Sequence, residues 1–219
     1  MNHSPDEPSD WRERWNEPLP WPVPPEASDE DTGLKAAHHK AFRPDLSNSA
    51  LVLVDVDKKS FDRNNIQAKM LCDVEQGRAL AKRIYKVALP NMIRLVEFFR
   101  SRERPVIFVQ WGWHRYQYPP LEAREGENVV IKKSRGAFAT SNIDAVLKEQ
   151  KIETCLFGGA DTAWCVASTV RGAIDYGYRA VIIEDACVAS SPRLHDATIE
   201  VLGHSQAHML RTEDILELE

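Results

Sequence analysis

The 219-residue chain sets 28 basic against 33 acidic side chains, a formal charge of −5, and is 43% hydrophobic. That is enough for one sizeable core, while Lys and Arg dispersed among acids offer no basic stripe to a phosphate backbone, which excludes a nucleic-acid partner. No run nears the roughly 18 apolar residues of a membrane span, and the start, MNHSPDEPSDW, has neither the basic flank nor the apolar core of a signal peptide. A cytoplasmic protein with no membrane partner is the expectation.

Residues 1–45 differ from the remainder. They hold more than half of the prolines and three of the six tryptophans, Trp11, Trp15 and Trp21. Proline at that density excludes regular helix or central strand. The indoles predict an extended arm that docks on the body or on a neighbouring subunit, the alternative being a mobile tail. Residues 46–219 then form the single domain.

Within it, apolar runs fall at 50–55, 105–110, 128–133, 154–159, 179–185 and 207–211. They lack strict alternation, as strands buried on both faces do. Helical patterns lie between them at 74–101 (with Pro90 as a kink or break), 142–150, 165–176 and 192–203, and Gly177 and Gly203 stand where helix C-caps belong. Strands interleaved with helices predict right-handed crossovers and a three-layer, Rossmann-like α/β fold, its sheet mostly parallel and flanked by helices. Chemistry in such a sheet collects at the carboxyl ends of the strands.

The first strand ends in Asp55, the third in Lys132 and Lys133, and the fourth runs through GGADTAW into Cys165. In the first turn of a helix, with an ammonium nearby, Cys165 is expected to be an activated thiolate. Asp55 could take the thiol proton and hand it to a leaving nitrogen while Lys132 holds the charges in place. The glycines suit a chain that turns sharply and brings its amides to a substrate. Each residue also has a structural reading: inert packing for the cysteine, a helix cap for the aspartate, a solvated surface for the lysine. The remaining cysteines, Cys72, Cys155 and Cys187, form no CxxC pair and suit neither a zinc site nor a disulfide framework.

From 50 to 212 the sequence resembles the isochorismatase-like cysteine hydrolases, most strongly over 131–189. The family's nucleophile motif GxxTxxCV is matched by Gly159, Thr162, Cys165 and Val166, its lysine by Lys132 ahead of GAF ending at Phe138, and its aspartate by Asp55 in LVLVDVD. Lys133 is then the neighbour that points away. The resemblance implies an Asp55–Lys132–Cys165 triad and a six-stranded parallel sheet. It further implies a non-proline cis peptide between Ala160 and Asp161, an oxyanion hole from the amides of Asp161 and Cys165, and a homodimer or homotetramer. It also implies a pocket drawn from Asp57, Phe61, Trp111, His114, Phe138 and Trp164, of which Trp164 is either a pocket wall or core filler.

Two departures shape the expected chemistry. The metal-binding DxH pattern of the nicotinamidases reads WGWH here, with Gly112 for the aspartate and no second histidine after His114, which implies no metal and no other cofactor. Only 111–127 joins the second strand to the third, so the arm or an adjacent subunit could complete the pocket wall. True isochorismatases cleave a vinyl ether without a cysteine nucleophile, so the resemblance points instead to hydrolysis of a C–N bond in a small amide, ureide or carbamoyl compound. The competing expectation is a catalytically silent binding or assembly module. Asp57 either makes the pocket acidic, favouring neutral or cationic substrates, or turns outward to cap a helix or pair with a lysine. His195 is expected to serve packing or an interface.

Overall fold

A computed structural model describes residues 42–57, 80–112 and 117–218. The three tryptophans of the arm, together with Phe61, Cys72 and His114, lie outside the described residues. No helix among the described residues is long and apolar enough to cross a membrane.

Six strands, β1 (Ser49–Val54), β2 (Val106–Trp111), β3 (Asn128–Lys132), β4 (Thr154–Ala160), β5 (Arg179–Val188) and β6 (His208–Leu210), form one sheet in the order β3-β2-β1-β4-β5-β6. Every pairing is parallel. The α/β fold expected from the sequence is the one observed. β1 is buried along its whole length because successive side chains alternate between two covered faces. Ala50, Val52 and Val54 enter one core with Phe157, Val166, Val170 and Ala173, while Leu51 and Leu53 enter the other with Met92, Leu95, Val96 and Phe99. The last four recur at helical spacing on α1 (Leu89–Ser101), which fixes the face that helix turns to the sheet.

Three features differ from the sequence expectation. Pro90 neither kinks nor breaks its helix: a π turn (Ile84–Ala88) precedes it, and Pro90 sits in the first turn of α1, where a missing N–H costs least. Gly203 is not a C-cap. It lies within α4 (Pro192–Ser205), where a Cβ would stand 3.0 Å from Met209 of β6, so glycine permits the close approach of helix and strand. Gly177, by contrast, does end its helix, α3 (Ala167–Asp175), with φ of 90° and an N–H donated to the Ile174 carbonyl. Thirdly, β3 is an edge strand covered on one face only, so Val129 and Ile131 are exposed while Val130 and Lys132 are buried.

The strand order reverses between β1 and β4: the chain builds outward through β2 and β3, returns, and builds the other way through β5 and β6. Crevices in open parallel sheets form at this point, beyond the carboxyl ends of the two strands. Val54 pairs with Gly159 there, and Asp55 and Asp161 follow within two residues. Gly159 has φ of 118°, and a Cβ on it would fall 2.1 Å from the Val54 carbonyl oxygen. Only glycine lets the ends of β1 and β4 close to this distance.

Candidate active site

Asp55 leaves β1 in a left-handed conformation, φ 51°, which aspartate tolerates better than most residues, and its N–H remains paired to the Val109 carbonyl of β2. The turn swings its carboxylate across the strand ends to Lys132, where Oδ2 and Nζ are 2.8 Å apart. Lys132 is fully buried. Its ammonium also donates to the Ser134 carbonyl and lies 4.2 Å from the centre of the Trp111 ring, its register partner in β2. Lys133 is exposed, as expected of the neighbour that points away.

Cys165 is carried on a π turn (Thr162–Val166) that leads into α3, with its thiol against both the Asp55 carboxylate and the Lys132 ammonium. The three residues predicted to form a triad are therefore together, at the switch point of the sheet. The expectation of a resting thiolate is not met. Burial and the adjacent Asp55 charge push the thiol up to about 12, and Lys132 only partly opposes them. Burial likewise raises Asp55 above the usual carboxylate range against the pull of Lys132. The arrangement stores the proton on sulfur and sets a base beside it. Asp55 Oδ1 is buried and has no hydrogen-bond partner among the described residues, so one acceptor faces the site unspent.

The Ala160–Asp161 peptide is cis, as the resemblance implied. The Asp161 carboxylate accepts from the Ala163 N–H at 2.8 Å and from the Ser190 N–H at 2.7 Å, tying the nucleophile turn to the loop after β5. Further ties come from Thr169 and Arg83, to which the sequence assigned no role, and from Thr162 and His195. Thr169 accepts from the Ala137 N–H and donates to the Cys165 carbonyl, linking the loop that follows Lys132 to the turn that holds Cys165. Thr162 meets His195 Nδ1 at 3.0 Å, and Arg83 Nη2 meets His195 Nε2 at 3.1 Å. A guanidinium can only donate, so Nε2 accepts, and a neutral His195 must carry its proton on Nδ1 and donate it to Thr162. Burial and Arg83 lower His195 to about 4, in keeping with that neutral form. His195 is thus internal packing around the nucleophile turn. The TxxC spacing and the basic residue at 83 were visible in the sequence, but nothing there joined them.

Of the predicted pocket residues, the site gathers Trp111 against Lys132 and Trp164 beside the nucleophile. Trp164 is 37% exposed and has the Arg135 guanidinium 4.6 Å from its ring centre, so it is not core filler. Asp57 is 2% exposed and forms a bridge with Gln117, so it does not turn outward. Phe138 belongs elsewhere: it packs on Gly172, Tyr176 and Tyr178, at the far end of α3 from Cys165, and lines the core instead of the pocket. Phe61 and His114 lie outside the described residues. Among the described residues no group of three or more His, Cys, Asp or Glu side chains could hold a metal ion.

An isochorismatase-domain model matches residues 49–214, from the first residue of β1 into the last helix. The chain belongs to the isochorismatase-like hydrolase family. Within that family it is 31% identical over 198 residues to the isochorismatase family protein YwoC of Bacillus subtilis (strain 168), covering 79% of this chain and 95% of that one. It is 28% identical over 107 residues to the ureidoacrylate amidohydrolase RutB of Klebsiella pneumoniae (strain 342), covering 47% of this chain and 45% of RutB. The crystal structure of an isochorismatase from Pseudomonas putida KT2440 superposes with a TM-score of 0.65 at 23% identity, over 80% of this chain and 93% of that one, a likeness of fold.

Proposed function

We propose that this family member is a cysteine-dependent amidohydrolase that cleaves a C–N bond in a small amide, ureide or carbamoyl compound. The observation that carries the reading is the buried cluster at the switch point: a protonated thiol, a carboxylate with one unspent oxygen, and an ammonium 2.8 Å from the other oxygen. Such a cluster suits a nucleophile that is deprotonated as it attacks. Cys165 Sγ bonds to the substrate carbonyl carbon while its proton passes to Asp55, and the oxyanion rests on the Asp161 and Cys165 amides. Collapse of the adduct breaks the C–N bond, and Asp55 returns the proton to the leaving nitrogen. A water molecule then gives its proton to Asp55, breaks the C–S bond and releases the acid, after which the proton goes back to sulfur. Lys132 keeps its charge throughout and holds Asp55 in place. Similarity to an amidohydrolase acting on a ureido compound supports the substrate class.

The test is a screen of small amides and ureides for ammonia release, repeated with Cys165→Ala and Asp55→Asn. Both variants are expected to keep the wild-type circular dichroism and to lose nearly all turnover; activity retained by Cys165→Ala refutes the mechanism. The raised thiol favours a second reading, a silent binding module, and that reading gains if no amide or ureide is turned over.

A further inference from the structure

The loop between β3 and α2 (Ile143–Glu149) lies along one stripe of the helix that starts at the nucleophile. Arg135 covers Trp164, a Cβ on Gly136 would meet Ser168 at 3.1 Å, and Phe138 meets Gly172 at the 3.0 Å reach of a Cβ there. Trp164, Ser168 and Gly172 are successive positions four residues apart, so the loop and helix are in fixed register. Lys132 starts this loop and Cys165 adjoins Trp164. The same register therefore sets Arg135 on the exposed side of the turn that carries Cys165.

The Arg135 guanidinium carbon lies 4.6 Å from the ring centre of the exposed Trp164, and among the described residues it makes no ion pair or hydrogen bond. That contact uses none of the guanidinium N–H donors as a hydrogen bond, which leaves a fork that fits a carboxylate and that lysine cannot reproduce. Asp161, whose carboxyl feels the Arg135 charge, is already committed to two backbone amides. Deeper in, the Asp55 charge is matched by Lys132 and Asp57 is buried, so the exposed Arg135 is a cation on the outward side that an acidic group of a substrate would meet.

We propose that Arg135, held by Trp164, is the specificity-determining residue for substrates carrying a carboxylate on the side of the scissile group away from Asp55. The inference rests on the amidohydrolase reading above. It replaces the neutral or cationic preference that an acidic pocket suggested, because the acids are buried and the rim is basic.

The probe is alkylation of Cys165 at pH 8.5 by N-iodoacetylglycine and N-iodoacetyl-γ-aminobutyrate, compared with their uncharged N-methylamides. The modified Cys165 peptide is followed by mass spectrometry. The wild type is expected to react about tenfold faster with at least one carboxylate reagent than with its uncharged counterpart, the advantage saturating with reagent concentration. Arg135→Gln is expected to abolish the advantage without slowing the uncharged reagents, and Arg135→Lys to restore only part of it. A wild type without the advantage, or an Arg135→Gln protein that keeps it, overturns the clamp and leaves the nucleophile standing. Failure of every reagent to modify Cys165 even when the pH is raised to 10, toward the ionisation of a thiol near 12, overturns the nucleophile, and the clamp with it.

Discussion

Replacing Lys132 by Met removes one charge from a pair that is almost wholly out of water. Lys132 is fully buried and Asp55 is 8% exposed. The Asp55 carboxylate loses its 2.8 Å contact at Oδ2, and Oδ1 has no hydrogen-bond partner among the described residues to compensate. An uncompensated buried charge of this kind costs about 3–5 kcal/mol. Against a total stability on the order of 5–15 kcal/mol for a domain, the variant should still fold in the cold but unfold at far lower urea. Replacing Asp55 by Asn in the same chain removes the stranded charge, so the double variant should be more stable than the sum of the single losses by at least about 2 kcal/mol. The penalty also depends on pH. Burial already raises Asp55, and removal of Lys132 raises it further, so the native variant takes up a proton at a higher pH than wild type or the unfolded chain. The penalty is complete above that folded pKa and shrinks as pH falls through it. Urea unfolding of wild type, both single variants and the double variant at pH 8, 7 and 6 measures all of this. A Lys132→Met loss below about 1 kcal/mol, strict additivity, or a penalty that grows on acidification would refute the reasoning.

Because His195 is held neutral down to about 4 while the unfolded chain protonates near its ordinary value, wild-type stability should fall as pH drops from about 6.5 toward 4, by at most about 3 kcal/mol. His195→Gln should flatten that slope in the same urea series. With its thiol near 12, Cys165 should be alkylated by iodoacetamide at a rate that climbs from pH 7 to 10 without a plateau, and a plateau below pH 8 would contradict the buried, aspartate-paired thiol. Gly172→Val should push Phe138 away from α3, destabilise the fold by about 1–3 kcal/mol and lower activity by shifting the loop that carries Lys132. An unchanged urea midpoint would show that the loop accommodates the new side chain.

The sequence by itself determined the strands and their parallel pairing, and it picked out Asp55, Lys132 and Cys165 as residues that the fold brings together. Strands such as LVLV and TCLF are buried on both faces, and that demand leaves a continuous apolar run that no surface element needs. Asp55, Lys132 and Cys165 stand at the ends of such runs, so a parallel sheet brings them to one edge whatever the intervening segments do. Local pattern served less well where a position answers to a distant neighbour. Gly203 resembles a helix stop but exists to admit Met209, and Pro90 resembles a break but is absorbed by a wider turn before it. Phe138 sits in a motif close after Lys132, yet its ring belongs to the core because Gly172, thirty-four residues later, opens a space for it. Only the tertiary structure could speak to the ionisation of Cys165, through its burial and its charged neighbours. Proximity to a lysine and a helix start argued for a thiolate, but burial and the Asp55 carboxylate prevail, and neither depth nor the balance between two opposite charges is written in spacing along the chain.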